Sequence, residues 1–396
     1  MNRWRDMLPS GAAALFAAVL LAGCSGASMN PLDWVGAKPV GPKLANLPTI
    51  SNPHPVRQLW ASNVGTADRY VFRPVVVGDS VLAASRAGTV VRLDASTGQL
   101  RWRTAVGRPL SAGVGADASL VVVATEEGEV YAFEAQSGRP RWSARVSSEV
   151  LTPPEVGEDL VLVRSADNRV FAFSADDGKR RWVYQRAAAS LLVRTPSGIA
   201  IADGTAYTGF AGGKLVALAL GSGAVRWEST VALPRGSTEL ERVTDVVGQP
   251  AVSGREVCAV AYQGRVACFD ARTGNQVWAR ENSSLNGVSV DARYAFLSDE
   301  KGALHALDRA TGRSVWKQDR LANRELSVPL PLGGEIVAAD VQGFVHFVQR
   351  DTGTFVARHA TDGSAVRSAP VRLGAGLLVQ TQNGGLYALS SDAPRR

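Results

Sequence analysis

The sequence predicts an all-β protein, an eight-bladed β-propeller whose blades are four-stranded antiparallel sheets. A spacing of two glycines and a tryptophan recurs about every 40 residues along the chain. Each copy holds four short segments with the composition of β-strands and no long helical pattern. The last copy is incomplete, and an isolated tryptophan near the N-terminus supplies what it lacks. Repeated sheets of this kind are typical of propeller blades, which bury their faces against one another.

The repeat is clear in its first copy, where Gly88 opens the pattern, Gly98 follows and Trp102 ends it. A turn glycine tolerates a positive φ angle, and an indole ring offers a large flat surface with one N–H donor. We therefore expect these tryptophans to pack neighbouring blades together. The tryptophan position is occupied by Trp60, Trp102, Trp142, Trp182, Trp227, Trp278 and Trp316. In the seventh copy Ala357 stands in this position.

One copy, residues 151–186, illustrates the four strands. A short strand follows the strand-breaking prolines, and residues 159–164 form a strongly β-prone second strand. Residues 169–173 alternate with a period of two, and residues 181–184 carry the tryptophan. Tight turns separate these strands, so each copy predicts an antiparallel sheet rather than a sheet with crossover helices.

The ends of the chain predict how the ring closes. The eighth copy begins at Gly384 and stops after its third strand. Trp60 belongs to no complete copy, and its distance from Gly88 resembles the other tryptophan-to-glycine intervals. The N-terminal strand is therefore expected to complete the last blade and leave no exposed sheet edge. The predicted propeller spans residues 57–391, with a C-terminal tail at 392–396.

The N-terminus predicts export and lipid attachment. Residues 1–23 have the basic start and short apolar core of a signal peptide. The sequence Leu-Ala-Gly-Cys ending at Cys24 matches a bacterial lipoprotein cleavage box, so Cys24 is the expected lipidation site. Ser25 after the cysteine favours the outer membrane, which places the protein on its periplasmic face. Residues 24–56 are rich in proline and are predicted to form a lipid-anchored flexible linker.

Composition limits the partners. The chain has a net charge of +7, but no cluster of basic and aromatic residues, so nucleic acid is excluded. A propeller closes on itself, so we expect a monomer. Cys258 and Cys268 flank a turn at nearly opposite hairpin positions. Two alternatives stay open here: a disulfide in an oxidising compartment, or two small buried residues.

The sequence holds few residues of the types that commonly act in catalysis. The four histidines are isolated, and His305 and His346, which share one repeat position, are expected to be structural rather than a metal site. No catalytic or cofactor motif is recognisable. The recurring acidic residue, as at Asp94, is a turn-forming residue rather than a catalytic carboxylate. The sequence therefore predicts no catalytic residue, no metal and no cofactor.

Residues 266–278 resemble the tryptophan-docking repeat of quinoprotein (PQQ) dehydrogenases, which are eight-bladed propellers. The chain lacks their vicinal cysteine pair and calcium cluster. Together with the lipoprotein box, the repeats are more similar to the BamB family of the outer-membrane β-barrel assembly (BAM) machinery. This resemblance implies a non-enzymatic scaffold that binds the POTRA domains of BamA and other BAM subunits. Unfolded outer-membrane protein precursors are a further expected partner. The alternatives are a PQQ-dependent periplasmic dehydrogenase-like protein and a propeller that binds envelope polysaccharide.

Two connections between blades are longer than the others, those after Trp182 and after Trp227. Both join the fourth strand of one blade to the first strand of the next, so they emerge side by side on one face. The resemblance implies that this face docks on BamA, with Asp245 and Arg194 as polar contacts and Val247 as a departure from the family pattern. The predicted partner-binding residues are Leu191, Leu192, Val193, Arg194, Glu241, Arg242 and Asp245.

Overall fold

The computed structural model describes residues 42–187 and 197–391, and all regular structure in these residues is β-strand. The described residues from Leu44 onward form one compact unit. Within the described ranges there is no helix of sufficient length and apolarity to cross a membrane.

The strands form eight four-stranded antiparallel sheets, as predicted. The first strand, β1, spans Val56–Asn63 and belongs to the last sheet. Blade one contains β2 (Val75–Val77), β3 (Ser80–Ala84), β4 (Thr89–Asp94) and β5 (Leu100–Ala105). Blade two contains β6 (Leu110–Ala116), β7 (Leu120–Thr125), β8 (Glu129–Glu134) and β9 (Pro140–Arg145). Blade three contains β10 (Glu155–Gly157), β11 (Leu160–Ser165), β12 (Arg169–Ser174) and β13 (Arg180–Gln185). Blade four contains β14 (Ile199–Ala202), β15 (Thr205–Phe210), β16 (Lys214–Ala219) and β17 (Val225–Thr230).

The second half of the ring repeats this order. Blade five contains β18 (Val246–Ser253), β19 (Glu256–Ala261), β20 (Arg265–Asp270) and β21 (Gln276–Glu281). Blade six contains β22 (Val288–Val290), β23 (Tyr294–Ser298), β24 (Leu304–Asp308) and β25 (Ser314–Gln318). Blade seven contains β26 (Leu330–Leu332), β27 (Glu335–Ala339), β28 (Phe344–Gln349) and β29 (Phe355–Ala360). Blade eight contains β30 (Val371–Leu373), β31 (Gly376–Gln380) and β32 (Gly385–Ser391), to which β1 adds.

The predicted ring closure is confirmed. Strand β1 pairs antiparallel with β32, and Trp60 lies opposite Ala388. The first strands of successive blades contact one another, as β18 does with both β14 and β22, and so form the inner ring. The core lies between the blades, where middle strands such as β7 are buried along their whole length. Outer strands such as β9 alternate between exposed and partly buried residues.

Each tryptophan of the repeat packs forward onto the next blade. The Trp278 indole N–H of blade five donates to the carbonyl oxygen of Arg309 in blade six, at 2.6 Å. The turn that receives it contains Gly312 at φ 68°, where an added Cβ would lie 2.5 Å from the indole ring. Equivalent bonds, all between 2.6 and 3.0 Å, join Trp60 to Ala95, Trp102 to Ala135, Trp142 to Ala175, Trp182 to Leu220, Trp227 to Ala271 and Trp316 to Arg350.

Cys258 and Cys268 face each other across β19 and β20. They are direct register partners with a Cα–Cα distance of 4.0 Å, and their sulfurs are joined in a disulfide. Of the two alternatives that the sequence left open, the structure therefore has the disulfide. The bond lies within the blade core, because Cys258 and Cys268 are 1% and 0% exposed.

The predicted linker of residues 24–56 is too long at its C-terminal end. Residues 44–55 belong to the same compact unit as the propeller. Leu47 and Ile50 pack against the apolar core of blades six and seven. The His54 amide donates to the carbonyl oxygen of Val356 in β29 at 3.1 Å. A proline-rich segment without a β pattern can still bind a surface through its main chain, and this one does.

Candidate docking surface

The candidate docking surface consists of the two long connections, residues 186–198 and residues 231–245. The second connection leaves β17 against the turn of its own blade. The amide of Val231 donates to the carbonyl oxygen of Gly213 at 2.8 Å. Gly213 has φ 70°, and a Cβ there would collide with the carbonyl oxygen of Ala232. The start of the connection is thus fixed by a position that requires glycine.

A compact turn at residues 237–241 organises the middle of this connection. The Glu241 carboxylate accepts hydrogen bonds from the amides of Ser237 at 2.9 Å and Thr238 at 3.2 Å. These bonds lower the pKa of Glu241, with the Ser237 amide as the largest cause. The amide of Arg242 donates to the carbonyl oxygen of Thr238 at 3.1 Å. Glu241 therefore acts first as the organiser of its own loop.

Two leucines in the same connection are exposed. Leu233 is 60% exposed and Leu240 is 72% exposed. Single exposed apolar side chains are ordinary on a protein surface, whereas contiguous exposed apolar patches mark interaction sites. Here both belong to one loop whose backbone is held by internal hydrogen bonds. The loop therefore presents apolar side chains from an ordered base.

Asp245 lies at the end of this connection and is nearly buried, with 7% of its surface exposed. Its main chain bridges to Ala211, and its carbonyl oxygen accepts the amide of Tyr262 at 2.9 Å. Its carboxylate interacts electrostatically with the guanidinium of Arg164. Asp245 thus supports the surface from beneath.

Arg164 is the charged partner beneath the surface. Its guanidinium donates to the hydroxyl of Thr208 at 2.8 Å and to the carbonyl oxygen of Gly209, and it lies 4.4 Å from the centre of the Phe210 ring. Burial lowers the pKa of Arg164 to about 10, and the Asp245 carboxylate opposes this effect. The pair joins blade three to the end of the second connection.

The ends of the two long connections meet around blade four. On the first connection, the Ser197 hydroxyl donates to the carbonyl oxygen of Gly209 at 3.2 Å. The Gly198 amide donates to the carbonyl oxygen of Gly248, just beyond the second connection, at 3.0 Å. Arg164 binds the same Gly209 oxygen. The described ends of both connections are therefore neighbours on one face, as the strand order requires.

The structure locates only some of the predicted site residues. Glu241, Arg242 and Asp245 all belong to the second connection, and Glu241 and Arg242 are exposed. Val247 is 3% exposed and packs in the core of blade five, so it has no place on the surface. The predicted residues Cys24, Leu191, Leu192, Val193 and Arg194 lie outside the described residues. Their roles stay predictions.

Sequence reasoning missed Leu233, Leu240 and Arg164. The two leucines were visible as apolar residues within a polar insertion. Arg164 was visible as a charge in a repeat position that holds Ala84, Ala124 and other small or apolar residues in neighbouring blades. A departure from the repeat was therefore the available signal in both cases.

A second polar cluster crosses the inner ring. Gln249 of blade five accepts a hydrogen bond from Arg73, next to blade one, at 3.2 Å. Its amide nitrogen donates to Glu155 of blade three at 3.3 Å. Burial raises the pKa of Glu155 to about 7, which the Arg73 charge partly offsets. Blades one and five lie opposite each other in a ring of eight, so these hydrogen-bonded side chains form a link across the centre of the ring.

Two histidines and the turn aspartates form local hydrogen bonds within their blades. His305 binds Asp299, and His346 binds Asp340, each at 2.9 Å. Asp94 accepts hydrogen bonds from the amides of Ser96 and Thr97 in its turn. Its pKa is lowered most by the hydrogen bond from the Ser96 hydroxyl and next by that from the Arg101 guanidinium. Among residues 42–187 and 197–391, no group of three or more histidine, cysteine, aspartate or glutamate side chains could hold a metal ion.

Fold and site together define an eight-bladed repeat propeller with a loop-built surface on one face. A family model described as outer membrane protein assembly factor BamB matches residues 56–110 and 86–318. The chain belongs to this BamB family. It is 45% identical over 333 residues to the BamB of Burkholderia pseudomallei, covering 84% of this chain and 87% of that protein. It is 42% identical over 391 residues to the BamB of Pseudomonas aeruginosa, covering 98% and 99%.

Solved structures agree with this assignment. The crystal structure of BamB from Moraxella catarrhalis matches with a TM-score of 0.78 and 27% identity, covering 85% of this chain and 99% of that one. The quinohemoprotein alcohol dehydrogenase from Comamonas testosteroni matches with a TM-score of 0.66 at 13% identity, covering 86% and 77%. This second likeness shows a shared fold alone.

Proposed function

We propose that this protein is a non-enzymatic scaffold of the outer-membrane β-barrel assembly machinery and that its candidate docking surface binds the POTRA region of BamA. The observation that carries the proposal is the convergence of the two longest connections on one face in a member of this family. Bound there with the other BAM subunits, the propeller would assist the folding and insertion of outer-membrane proteins. No reaction or cofactor is part of the proposal.

The physical basis of docking is a small apolar contact on a rigid support. Leu233 and Leu240 supply exposed apolar area, and Arg194 adds a planar group of donors for carbonyl or carboxylate oxygens. The main-chain contacts of Asp245 with Ala211 and Tyr262 hold the base of the loop in place, and its carboxylate attracts the buried guanidinium of Arg164. Residues that act from beneath in this way influence affinity by fixing the loop before the partner arrives.

Affinity purification of the tagged lipoprotein from detergent-solubilised envelopes tests the proposal. Leu240→Asp and Arg194→Ala should each reduce BamA recovery at least tenfold, because each would remove one of the proposed contacts with BamA. The matched control is Leu100→Asp, since Leu100 is a 52% exposed leucine on the outer strand of blade one. Equal loss in the control, or no loss in either variant, would contradict the assigned surface. Absence of BamA from the wild-type sample would contradict the function.

The lipid anchor is part of the same proposal. Cys24→Ser should move the protein from the outer-membrane fraction to the soluble periplasmic fraction, because stable membrane attachment requires the acyl chains. Fractionation and labelling with a palmitate analogue measure this directly. An unlabelled wild-type protein would show that the cysteine is not acylated.

Direct capture of unfolded outer-membrane protein precursors is a further element of the proposal. The outer strand of a blade offers main-chain groups to which an extended precursor could add as a strand. Site-specific crosslinks from a stalled precursor should then fall on outer strands such as β9. Crosslinks confined to loops would remove this element and leave BamA docking intact.

A further inference from the structure

Two arginines of the propeller bind the main chain of the segment that precedes β1. We call residues 44–55 the N-terminal segment. The Arg324 guanidinium donates to the carbonyl oxygen of Ala45 at 3.0 Å, and the Arg358 guanidinium donates to that of Pro48 at 2.9 Å. The Ala45 amide donates in turn to the carbonyl oxygen of Ala322 at 2.9 Å. The segment is therefore held by its backbone, whatever its side chains at these two positions.

Both arginines are fixed by buried groups of blade seven. Arg324 donates to Asp340 at 2.6 Å, and Arg358 donates to the Nδ1 atom of His346 at 3.2 Å. Since Nδ1 accepts this hydrogen bond, the ring hydrogen of His346 is on Nε2, which donates to Asp340 at 2.9 Å. Burial lowers the pKa of His346, which keeps the ring neutral near pH 7. Asp340 and His346 are 0% exposed and Arg324 is 2% exposed.

Blade six provides an internal comparison. It contains the same acid–imidazole pair, Asp299 and His305, at the equivalent repeat positions. Within the described part of the chain, no arginine bonds to that pair. Buried charges are unfavourable unless they are fully paired. The addition of two arginines at the blade-seven pair therefore indicates a task beyond closing the blade. One donor of each arginine is directed at the N-terminal segment, and Arg324 also donates to the side-chain oxygen of Gln342 at 2.7 Å.

Apolar and polar contacts continue the attachment along the segment. Leu47 and Ile50 pack against the core that contains Phe296 and Leu321. Farther along, the His54 imidazole binds Glu335 at 2.5 Å and packs edge-on against Phe347. The chain is thus in contact with blades six and seven before β1 begins.

We propose that Arg324 and Arg358 form a clamp that fixes the N-terminal segment on blades six and seven. The linker predicted from the sequence then ends at residue 43 instead of residue 56. If Cys24 is acylated, as the proposed function assumes, the clamp shortens the reach of this predicted linker from about 30 Å to about 25 Å. It also sets the point on the ring at which the membrane tether is attached. The clamp is thus a device that limits how the propeller can turn beneath the membrane.

Hydrogen exchange of the full-length protein in detergent, read by mass spectrometry, tests the clamp. In the wild type, the amides of Ala45 and His54, which donate to the carbonyl oxygens of Ala322 and Val356, should exchange at least tenfold more slowly than those of the exposed residues Arg235 and Gly236. The double variant Leu47→Ser, Ile50→Ser removes only the apolar contacts and should accelerate exchange of the segment at least tenfold. Arg358→Ala should do the same, while Leu233→Ser, in the docking loop, should leave the segment unchanged.

Two outcomes would overturn the clamp. One is rapid exchange of the segment in the wild type, and the other is unchanged protection in the double variant whose thermal unfolding matches the wild type. BamA recovery is measured in parallel and separates this inference from the proposed function. A wild-type protein that recovers BamA but exchanges the segment rapidly would contradict the clamp alone. A protected segment without BamA recovery would contradict the proposed function alone, because exchange of the segment does not depend on BamA.

Discussion

Seven of the eight junctions between blades are built alike, and the junction from blade seven to blade eight is not. At a regular junction, an indole such as that of Trp278 donates to the following blade and covers a turn glycine such as Gly312. At the exceptional junction the indole is replaced by Ala357, which is 1% exposed. Blade eight receives its fourth strand, β1, from the other end of the chain. It therefore has no turn between its third and fourth strands for an indole to cover.

This difference shows that the tryptophan belongs to a pair of blades rather than to a single blade. The indole of one blade and the turn of the next form a single contact. Blade eight has no such turn, because the chain termini supply its third and fourth strands separately, and blade seven has no indole facing it. The side of blade seven that lacks the indole is instead contacted by the N-terminal segment, through His54 against Phe347 and its amide on Val356.

The largest effect should come from breaking a regular junction. Trp278→Ala should lower the free energy of unfolding by about 3–5 kcal/mol, because it removes a buried ring and leaves a cavity and an unpaired carbonyl group. Denaturant titration measures this. The control is Val277→Ala, since Val277 is 46% exposed on the same strand and should change stability by about 0.5 kcal/mol or less. Equal effects from both variants would show that the indole contact is not what joins the blades.

The pH dependence of stability should distinguish the blade junctions from the hydrogen-bonded link that Arg73, Gln249 and Glu155 form across the ring. Indole-to-carbonyl contacts carry no titratable group, whereas Glu155 faces Arg73 and Gln249 and has a folded-state pKa raised to about 7. Because the unfolded carboxyl titrates at a lower pH, the folded state holds more protons between those two pKa values. Stability should therefore fall as pH rises from 5 to 8, by about 2 kcal/mol.

Glu155→Gln provides the matched variant for this titration. It keeps a hydrogen-bonding side chain beside Gln249 but cannot ionise, so this share of the pH dependence should disappear. Thermal unfolding at pH 5 and pH 8 compares the two proteins. An identical pH dependence in the variant would show that the carboxyl titrates normally and that the link is insensitive to charge.

The smallest effect should come from adding an indole where no turn receives it. Ala357→Trp should destabilise the protein by about 1–2 kcal/mol, because the added ring must displace packed neighbours and its N–H has no turn carbonyl to bind. Calorimetric unfolding of the variant checks this. A stabilised variant would mean that the indole finds a partner of its own, and the pairing of ring and turn would then be incidental.

The sequence predicted most of the fold because the repeat is encoded by local requirements. Turn glycines need positive φ, strands need alternation, and each indole needs a turn, so Trp60 without a complete copy was enough to predict closure by β1. The sequence predicted a linker over the N-terminal segment because part of its attachment uses carbonyl oxygens, which every residue possesses. The side chains that add to the attachment, such as Leu47 and Ile50, follow no strand pattern. A main-chain contact leaves no mark in the composition of the segment that makes it.

The site was predicted less completely for a related reason. The unequal intervals between repeats located both long connections, since length is visible in a sequence. They did not reveal that Asp245 is turned inward toward Arg164, because that pairing depends on the meeting of blade three with the end of the second connection. Exposure of Leu240 likewise follows from how the turn at residues 237–241 folds, which no spacing records.

Closure by β1 also sets an order of events during folding. Val56 and Ser391 are partners across the last strand pair although about 330 residues separate them, so this contact has the greatest sequence separation in the ring. Each blade can form as soon as its own strands are available, but β1 must wait for β32. Until then both strands expose unpaired backbone groups of the kind that recruits foreign strands. Pairing of β1 with β32 is thus the folding step before which the newly made chain is most prone to aggregation.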